Sequence, residues 1–428
     1  MEILNNPPKE NWESILKRPA IDLKELENNV SAILNDIRSN GDAAVKRYTM
    51  QFDKIALNSF RVSEEEIDSS ENEISNELKA AITQAKANIE KFHTSQKEEI
   101  KFLETMPGVK CWRKSIGIEK VGLYIPGGSA PLFSTVLMLG VPAIIAGCKE
   151  IILCTPCNSE GKVNAAILFA AKLCGITTIF KIGGVQAIGA MAYGTQSIPK
   201  VYKIFGPGNQ FVTCAKQLVN KEGIAIDMPA GPSEVAIIAD DSAQPSFIAA
   251  DLLSQAEHGE DSQVLLVSNS QTLIDKTIVE LEIQIKQLNR SAIAQKALKN
   301  SKAILVNSLE QGMELLNEYA PEHLIIACKN YEELSEKVVN AGSVFLGNYS
   351  CESAGDYASG TNHTLPTNGY AKAYSGVSLD SFVKKITFQH LSKQGLENIG
   401  NTIELMAEAE GLTAHKNAVT IRLKQYGI

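Results

Sequence analysis

Six histidines occur in 428 residues, and four of them stand beside carboxylates or amides. The segments are Gln255-Ala-Glu-His258, Glu322-His323, Asp356 through His363, and Glu410 through His415. Imidazole changes charge near neutral pH and is the commonest nitrogen ligand, so this pairing suits a metal site and a proton relay. Gln255 and His258, three apart on a helix, share a face and can converge on one ion; a polar helix end would give the same pair. Glu322-His323 precedes the apolar run Leu324 to Ala327, so the two side chains face one pocket only if the strand mouth bends. There the glutamate would activate water and the histidine relay a proton; a solvated strand start is the plainer alternative. Residues 352–363 are polar and glycine-rich, with Asp356 an oxygen ligand and His363 a hydrogen-bond partner for a substrate carboxyl or alcohol. A flexible polar loop would look alike. Glu410 and His415 lie near the C-terminus, where a terminal helical arm docks on a partner subunit and its side chains act in trans; otherwise His415 is a surface residue.

The elements that must position these groups alternate. Three helical stretches, Val30 to Arg38, Ala43 to Phe52 and Glu73 to Ser95, carry apolar residues at three- and four-residue spacing. From 119 on, short β-branched runs (121–125, 151–154, 178–180, 201–205) alternate with helices near 133–146, 162–174, 184–193 and 209–220. That rhythm predicts βαβ crossovers and a parallel sheet. A second set of runs begins at 235 and continues at 264, 303, 324 and 343, so two α/β lobes are expected. Residues 351–377 read as a surface loop lining a site, and 378–426 as helical. Three glycine turns, Tyr124-Ile-Pro-Gly-Gly128, Gly183-Gly-Val-Gln186 and Gly206-Pro-Gly-Asn209, fall at the carboxyl ends of strands, where open α/β sheets bind ligands. Each glycine alone needs no more than turn geometry.

Composition narrows the partners. Forty-one basic against 49 acidic residues give a net charge of −8, with no Lys/Arg cluster, which disfavours nucleic acid and favours a small molecule. The longest apolar candidate for a membrane span, Leu132 to Gly147, is too short and is broken by Pro142. The N-terminus lacks the order of a secretory signal, so a cytoplasmic protein is expected. Its eight cysteines are then expected free, although Cys154-Thr-Pro-Cys157 has redox or zinc spacing.

These segments together resemble the histidinol dehydrogenase family over roughly residues 30 to 423. The resemblance rests on VGLYIPGGSAPLFSTVLML at 121–139, KIFGPGNQFVT at 203–213, IDMPAGPSEV at 226–235, DLLSQAEHG at 251–259, PEHLII at 321–326, ESAGDYASGTNH at 352–363 and LTAHKNAVTIR at 412–422. It implies a zinc- and NAD-dependent oxidation of L-histidinol through L-histidinal to L-histidine. By that pattern zinc is held by Gln255, His258, Asp356 and, across a homodimer, His415. Glu322 and His323, the latter neutral at working pH, form the acid/base pair. Ser233, His363 and Glu410 match substrate positions, and Tyr124, Gln186 and Asn209 match NAD positions. The implied fold is two incomplete Rossmann-like lobes of the aldehyde dehydrogenase type. Its expected domains are a helical segment at 1–25, a first lobe from 26–118 and 235–365, an NAD-binding lobe at 119–234 and a helical dimerisation domain at 366–428. Cys351 departs from the family pattern, which has proline there, and no cysteine falls at a matched chemical position. On residue types alone, a zinc hydrolase or a non-catalytic metal-binding protein also stays open.

Overall fold

The β-branched runs pair as two all-parallel sheets. In the computed structural model, which describes residues 1–19, 23–127 and 131–425, a five-stranded sheet runs Thr178–Phe180, Glu150–Cys154, Lys120–Tyr124, Lys203–Phe205, Ala225–Ile226. Strand order reverses between Lys120–Tyr124 and Lys203–Phe205, where Leu123 pairs with Phe205. A doubly wound sheet opens its ligand crevice at such a reversal. Tyr124-Ile-Pro-Gly127 and Gly206-Pro-Gly208 leave the two strands side by side; Gly128 of the expected turn lies outside the described residues. Gly206 has φ +126°, and a Cβ there would lie 2.0 Å from the Tyr124 carbonyl oxygen, so a side chain would force the two turns apart.

The expected helices cover this sheet as Phe133–Ala146, Ala165–Leu173, Gly184–Tyr193 and Gln210–Lys221. The N-terminal helix Leu23–Asn40 buries Val30, Leu34 and Ile37 at i, i+4, i+7 spacing. They lie against Gly184–Tyr193, approaching closely because position 189 is glycine: a Cβ there would meet Ile37 Cδ1 at 2.9 Å. Burial of each such aliphatic side chain contributes about 1.5–3 kcal/mol. Asn76–Thr94 packs Ile82, Ala85 and Ile89 into the same core as Phe133–Ala146. Residues 26–94 therefore side with the 119–234 sheet, not with 235–365 as expected. An amphipathic stripe says that a face is buried but not against which sheet.

The six-stranded sheet runs Glu2–Asn5, Lys302–Leu305, Gln263–Ser268, Glu234–Ala239, His323–Ala327, Ser343–Leu346. Its first strand corrects the expected helical reading of 1–25: Glu2–Asn5 pairs in parallel with Lys302–Leu305, and only after it do Trp12 and Leu16 pack under the sheet. A third, antiparallel sheet joins Phe102–Met106, Val109–Gly117 and Val383–Leu391. Val383–Leu391 corrects the helical expectation for 378–426 and for the 366–428 domain; helices resume at Lys393–Ala409 and Thr413–Gln425. Among the described residues, no helix is long and apolar enough to cross a membrane.

Candidate active site

The helix Leu309–Tyr319 stops at Ala320, which adopts a left-handed conformation (φ 53°), and Pro321 cannot continue it. The chain then turns into the six-stranded sheet with Glu322 at the mouth and His323 as first strand residue, paired with Val235 and Ser343. This bent entry lets neighbouring side chains meet one pocket. Glu322 Oε2 accepts the Glu234 N–H at 2.8 Å and lies 3.7 Å from His323 Nδ1. Gln255, in the last turn of helix Pro245–Ala256, donates through its amide nitrogen to the Glu234 carbonyl at 3.1 Å. His323 Nδ1 is 3.0 Å from that amide nitrogen and 3.1 Å from the same carbonyl. The opposite ring nitrogen, Nε2, is 3.5 Å from Asp356 Oδ1, an ion-pair separation too long for a good hydrogen bond.

Among the described residues, four buried atoms along this wall have no hydrogen-bond partner: Gln255 Oε1, His323 Nε2, Glu352 Oε2 and Asp356 Oδ1. A buried polar atom left unpaired costs free energy unless something absent from the chain completes it. The Gln255 amide oxygen and the Asp356 carboxylate oxygen, with the His258 imidazole beside Asp356 at the rim, offer the oxygen and nitrogen donors that zinc takes, and leave His323 Nε2 free. Ligand atoms of His323, Glu352 and Asp356 also lie within 4.8 Å of one another. Residues and metal fit.

The electrostatics are those of a carboxylate cluster around one imidazole. Burial pushes Glu322 and Glu352 each up to about 8. Burial alone would lower His323, but Glu352, Glu322 and Asp356 outweigh it and raise it to about 10. Asp356, which burial would raise, is held below the usual carboxylate range chiefly by His323. The surrounding carboxylates thus favour a protonated His323, whereas the resemblance implies a neutral one. Cancelling that negative field, as a dication beside Asp356 would, is the condition for a neutral base.

The other expected residues distribute around this centre. His258 stands at the rim, its Nδ1 3.3 Å from Ser233 Oγ. It is exposed to solvent on one side, and the crowding around the rest of its ring lowers its proton affinity. His363 hydrogen-bonds the Asp356 carbonyl at 2.9 Å through Nδ1 and Thr135 Oγ1 at 3.0 Å through Nε2. Thr135 starts the helix that follows the first central strand of the five-stranded sheet, so His363 ties one lobe to the other. Glu410 and His415 are exposed on the C-terminal helical pair. Among the described residues, their side chains make no hydrogen bond or ion pair with this cluster.

The expected NAD residues gather at the other sheet. The Tyr124 hydroxyl accepts the Gly184 N–H at 3.1 Å. Gln186 donates to Asp53 Oδ2 at 3.2 Å and leaves its buried Oε1 without a partner. Asn209 caps helix Gln210–Lys221 by accepting from Phe211 and Val212 N–H groups, both at 3.1 Å. The N-cap of helix Gly184–Tyr193, Gly183, has no side chain to cap it, and the first amide, that of Gly184, is taken by the Tyr124 hydroxyl instead.

Two participants escaped the sequence reading. Asp356 lies not on a loop but on the short helix Glu352–Tyr357, which puts Glu352 one turn away on the same face, buried with Oε2 unpaired. The Glu352 to Asp356 spacing of i, i+4 was the available signal. Glu234 had none, since it acts mainly through its backbone. The rule that open sheets bind ligands at carboxyl ends also fails here. Glu322 and His323 stand at the amino end of their strand, and it is the Tyr124, Gly183 and Gly206 turns that obey it.

The family described as Histidinol dehydrogenase matches residues 16–423. The chain is 62% identical over 423 residues to a histidinol dehydrogenase of Bacteroides thetaiotaomicron, covering 99% of each. It is 61% identical over 425 residues to one from Bacteroides fragilis, again covering 99% of each. A crystal structure of histidinol dehydrogenase from Elizabethkingia anophelis superposes with a TM-score of 0.98 at 56% identity, covering 100% of this chain and 99% of that one.

Proposed function

The chain belongs to the histidinol dehydrogenase family, and from that premise we propose that Gln255, His258 and Asp356, with the partner subunit's His415, hold zinc while Glu322 and His323 move the protons. The protein is an NAD-dependent oxidoreductase acting on histidinol, the final step of histidine biosynthesis. The observation that carries the site reading is the row of buried, unpartnered Gln255 Oε1, His323 Nε2 and Asp356 Oδ1.

Zinc, when bound, supplies a fixed positive anchor for the imidazole and amino nitrogens of histidinol. NAD, held by Tyr124, Gln186 and Asn209, supplies the hydride acceptor for each of two oxidations. His323 Nε2 takes the alcohol proton as hydride leaves the carbinol carbon, giving histidinal. Glu322 then takes a proton from water, which adds to the aldehyde carbon; loss of a second hydride from the hydrated carbon gives histidine. Ser233, His363 and, across the subunit boundary, Glu410 orient the substrate. The Thr135 bond keeps His363 in register with the lobe that holds NAD.

A homodimer follows from the same reading, since His415 and Glu410 are too exposed to serve their own chain's centre. Leu405, Met406, Leu412 and Ile421 on the terminal helices, with Phe102 and Leu103 on the antiparallel sheet, are exposed apolar residues that a second copy would cover. All eight cysteines are unpaired, which supports a cytoplasmic enzyme. We also take 119–234 together with the helices of 26–94 as the NAD-binding lobe.

Metal removal tests the reading. Dialysis against a chelator should abolish NADH formation, and stoichiometric zinc should restore it. NAD binding, measured by fluorescence titration, should survive, because Tyr124, Gln186 and Asn209 stand on the other sheet. Full turnover by zinc-free protein would overturn the assignment.

A further inference from the structure

Glu234 is the residue on which the proposed centre converges. Its backbone N–H holds Glu322, and its carbonyl meets both Gln255 and His323. Its side chain points the other way, buried, and is gripped by Arg18: Nε to Oε1 at 2.5 Å and Nη2 to Oε2 at 2.8 Å. The Asn368 N–H adds a third bond, to Oε1 at 2.8 Å. The same guanidinium donates to the Tyr319 carbonyl at 2.8 Å and lies over the Tyr319 ring at 4.0 Å. Tyr319 ends the helix three residues before Glu322. One side chain from the N-terminal segment therefore clamps two backbone pieces: the start of strand Glu234–Ala239, which holds the acid/base pair in place, and the 319–322 turn that leads into it.

We propose that Arg18 is a positioning residue for the reaction, fixing Glu322 and His323 against Gln255 through Glu234. A planar fork is required, because the bidentate carboxylate bond, the carbonyl bond and the ring stacking must be made at once; lysine offers one charge without that geometry. Burial of the Glu234 carboxylate also depends on Arg18, since a buried charge that loses its partner is strongly destabilising. The inference rests on Glu322 and His323 being the acid/base pair.

Arg18→Lys and Arg18→Met are the variants to measure, with zinc content, melting temperature and the two half-reactions read separately. Arg18→Lys should keep its zinc and most of its stability, yet lose roughly 10-fold or more in kcat for histidinal oxidation with the KM for NAD unchanged. Arg18→Met should lose about 10²-fold and melt several degrees lower. Arg18→Met with Glu234→Gln removes both charges; stability should return while kcat stays low. Wild-type kcat in Arg18→Lys, or its recovery in the double variant, would show that the pair only balances charge and would overturn the inference. Glu322→Gln separates the two levels. If it fails to oxidise histidinal while the Arg18 variants do so at the wild-type rate, the clamp alone fails; if it oxidises histidinal at the wild-type rate, the acid/base reading fails.

Discussion

Glu322→Gln is expected to leave an enzyme that oxidises histidinol to histidinal and then stalls, with histidinal oxidation slowed by about 10²–10⁴-fold. The first oxidation removes a hydride and one alcohol proton, and His323 Nε2 is the base proposed for that proton. The second requires water to attack a carbonyl carbon, and Glu322 is the carboxylate at the pocket mouth held in place by the Glu234 N–H. Glutamine keeps the shape and loses the base. The pH dependence carries a matching sign. Burial pushes Glu322 up to about 8, so the deprotonated form needed as base is populated only as pH rises through that value. Histidinal oxidation should therefore climb with pH, along a limb that moves lower once a cation sits nearby, and that limb should be missing in Glu322→Gln. Equal loss of both half-reactions would contradict the division of roles.

The second large effect is a complementation. His258→Asn should lose zinc and activity together, since it removes the proposed nitrogen ligand at the rim of the Gln255 and Asp356 pocket. His415→Asn should be as inactive although His415 is exposed and lies outside that pocket in its own chain. Mixing the two inactive chains, unfolding and refolding them together, should recover up to about a quarter of wild-type activity, because random pairing gives half hybrids and each hybrid has one intact site of two. No recovery from well-formed hybrids would place His415 outside the site.

Most strands of both parallel sheets were legible because they are runs of buried β-branched residues, such as Val235-Ala-Ile-Ile238 and Leu324-Ile-Ile326, which signal burial on both faces; Ala225–Ile226, two residues long, carries no such run. The helices between them were equally plain. The strand Val383–Leu391 was not, since neither face is buried deeply enough to enforce alternation and its pairing partner lies far away at Val109–Gly117. Glu2–Asn5 failed for a similar reason: four mostly exposed residues at a sheet edge leave no periodic signature. Helix Glu352–Tyr357 is too short to announce itself by pattern and forms where Gly355 lets it lie against Phe345. At the site, side-chain chemistry was legible, and the residues named from it, Gln255, Glu322, His323 and Asp356, do meet. Backbone contributions were not, which is why Glu234 and its Arg18 clamp emerge only in three dimensions.

The most direct test of a single pocket that oxidises the same carbon twice is a stoichiometric one. Purified, zinc-loaded protein is given limiting histidinol and excess NAD, and NADH is counted against histidine and free histidinal. Two NADH per histidine with no histidinal accumulating is the predicted result; one NADH per histidinol with histidinal released as product would contradict it.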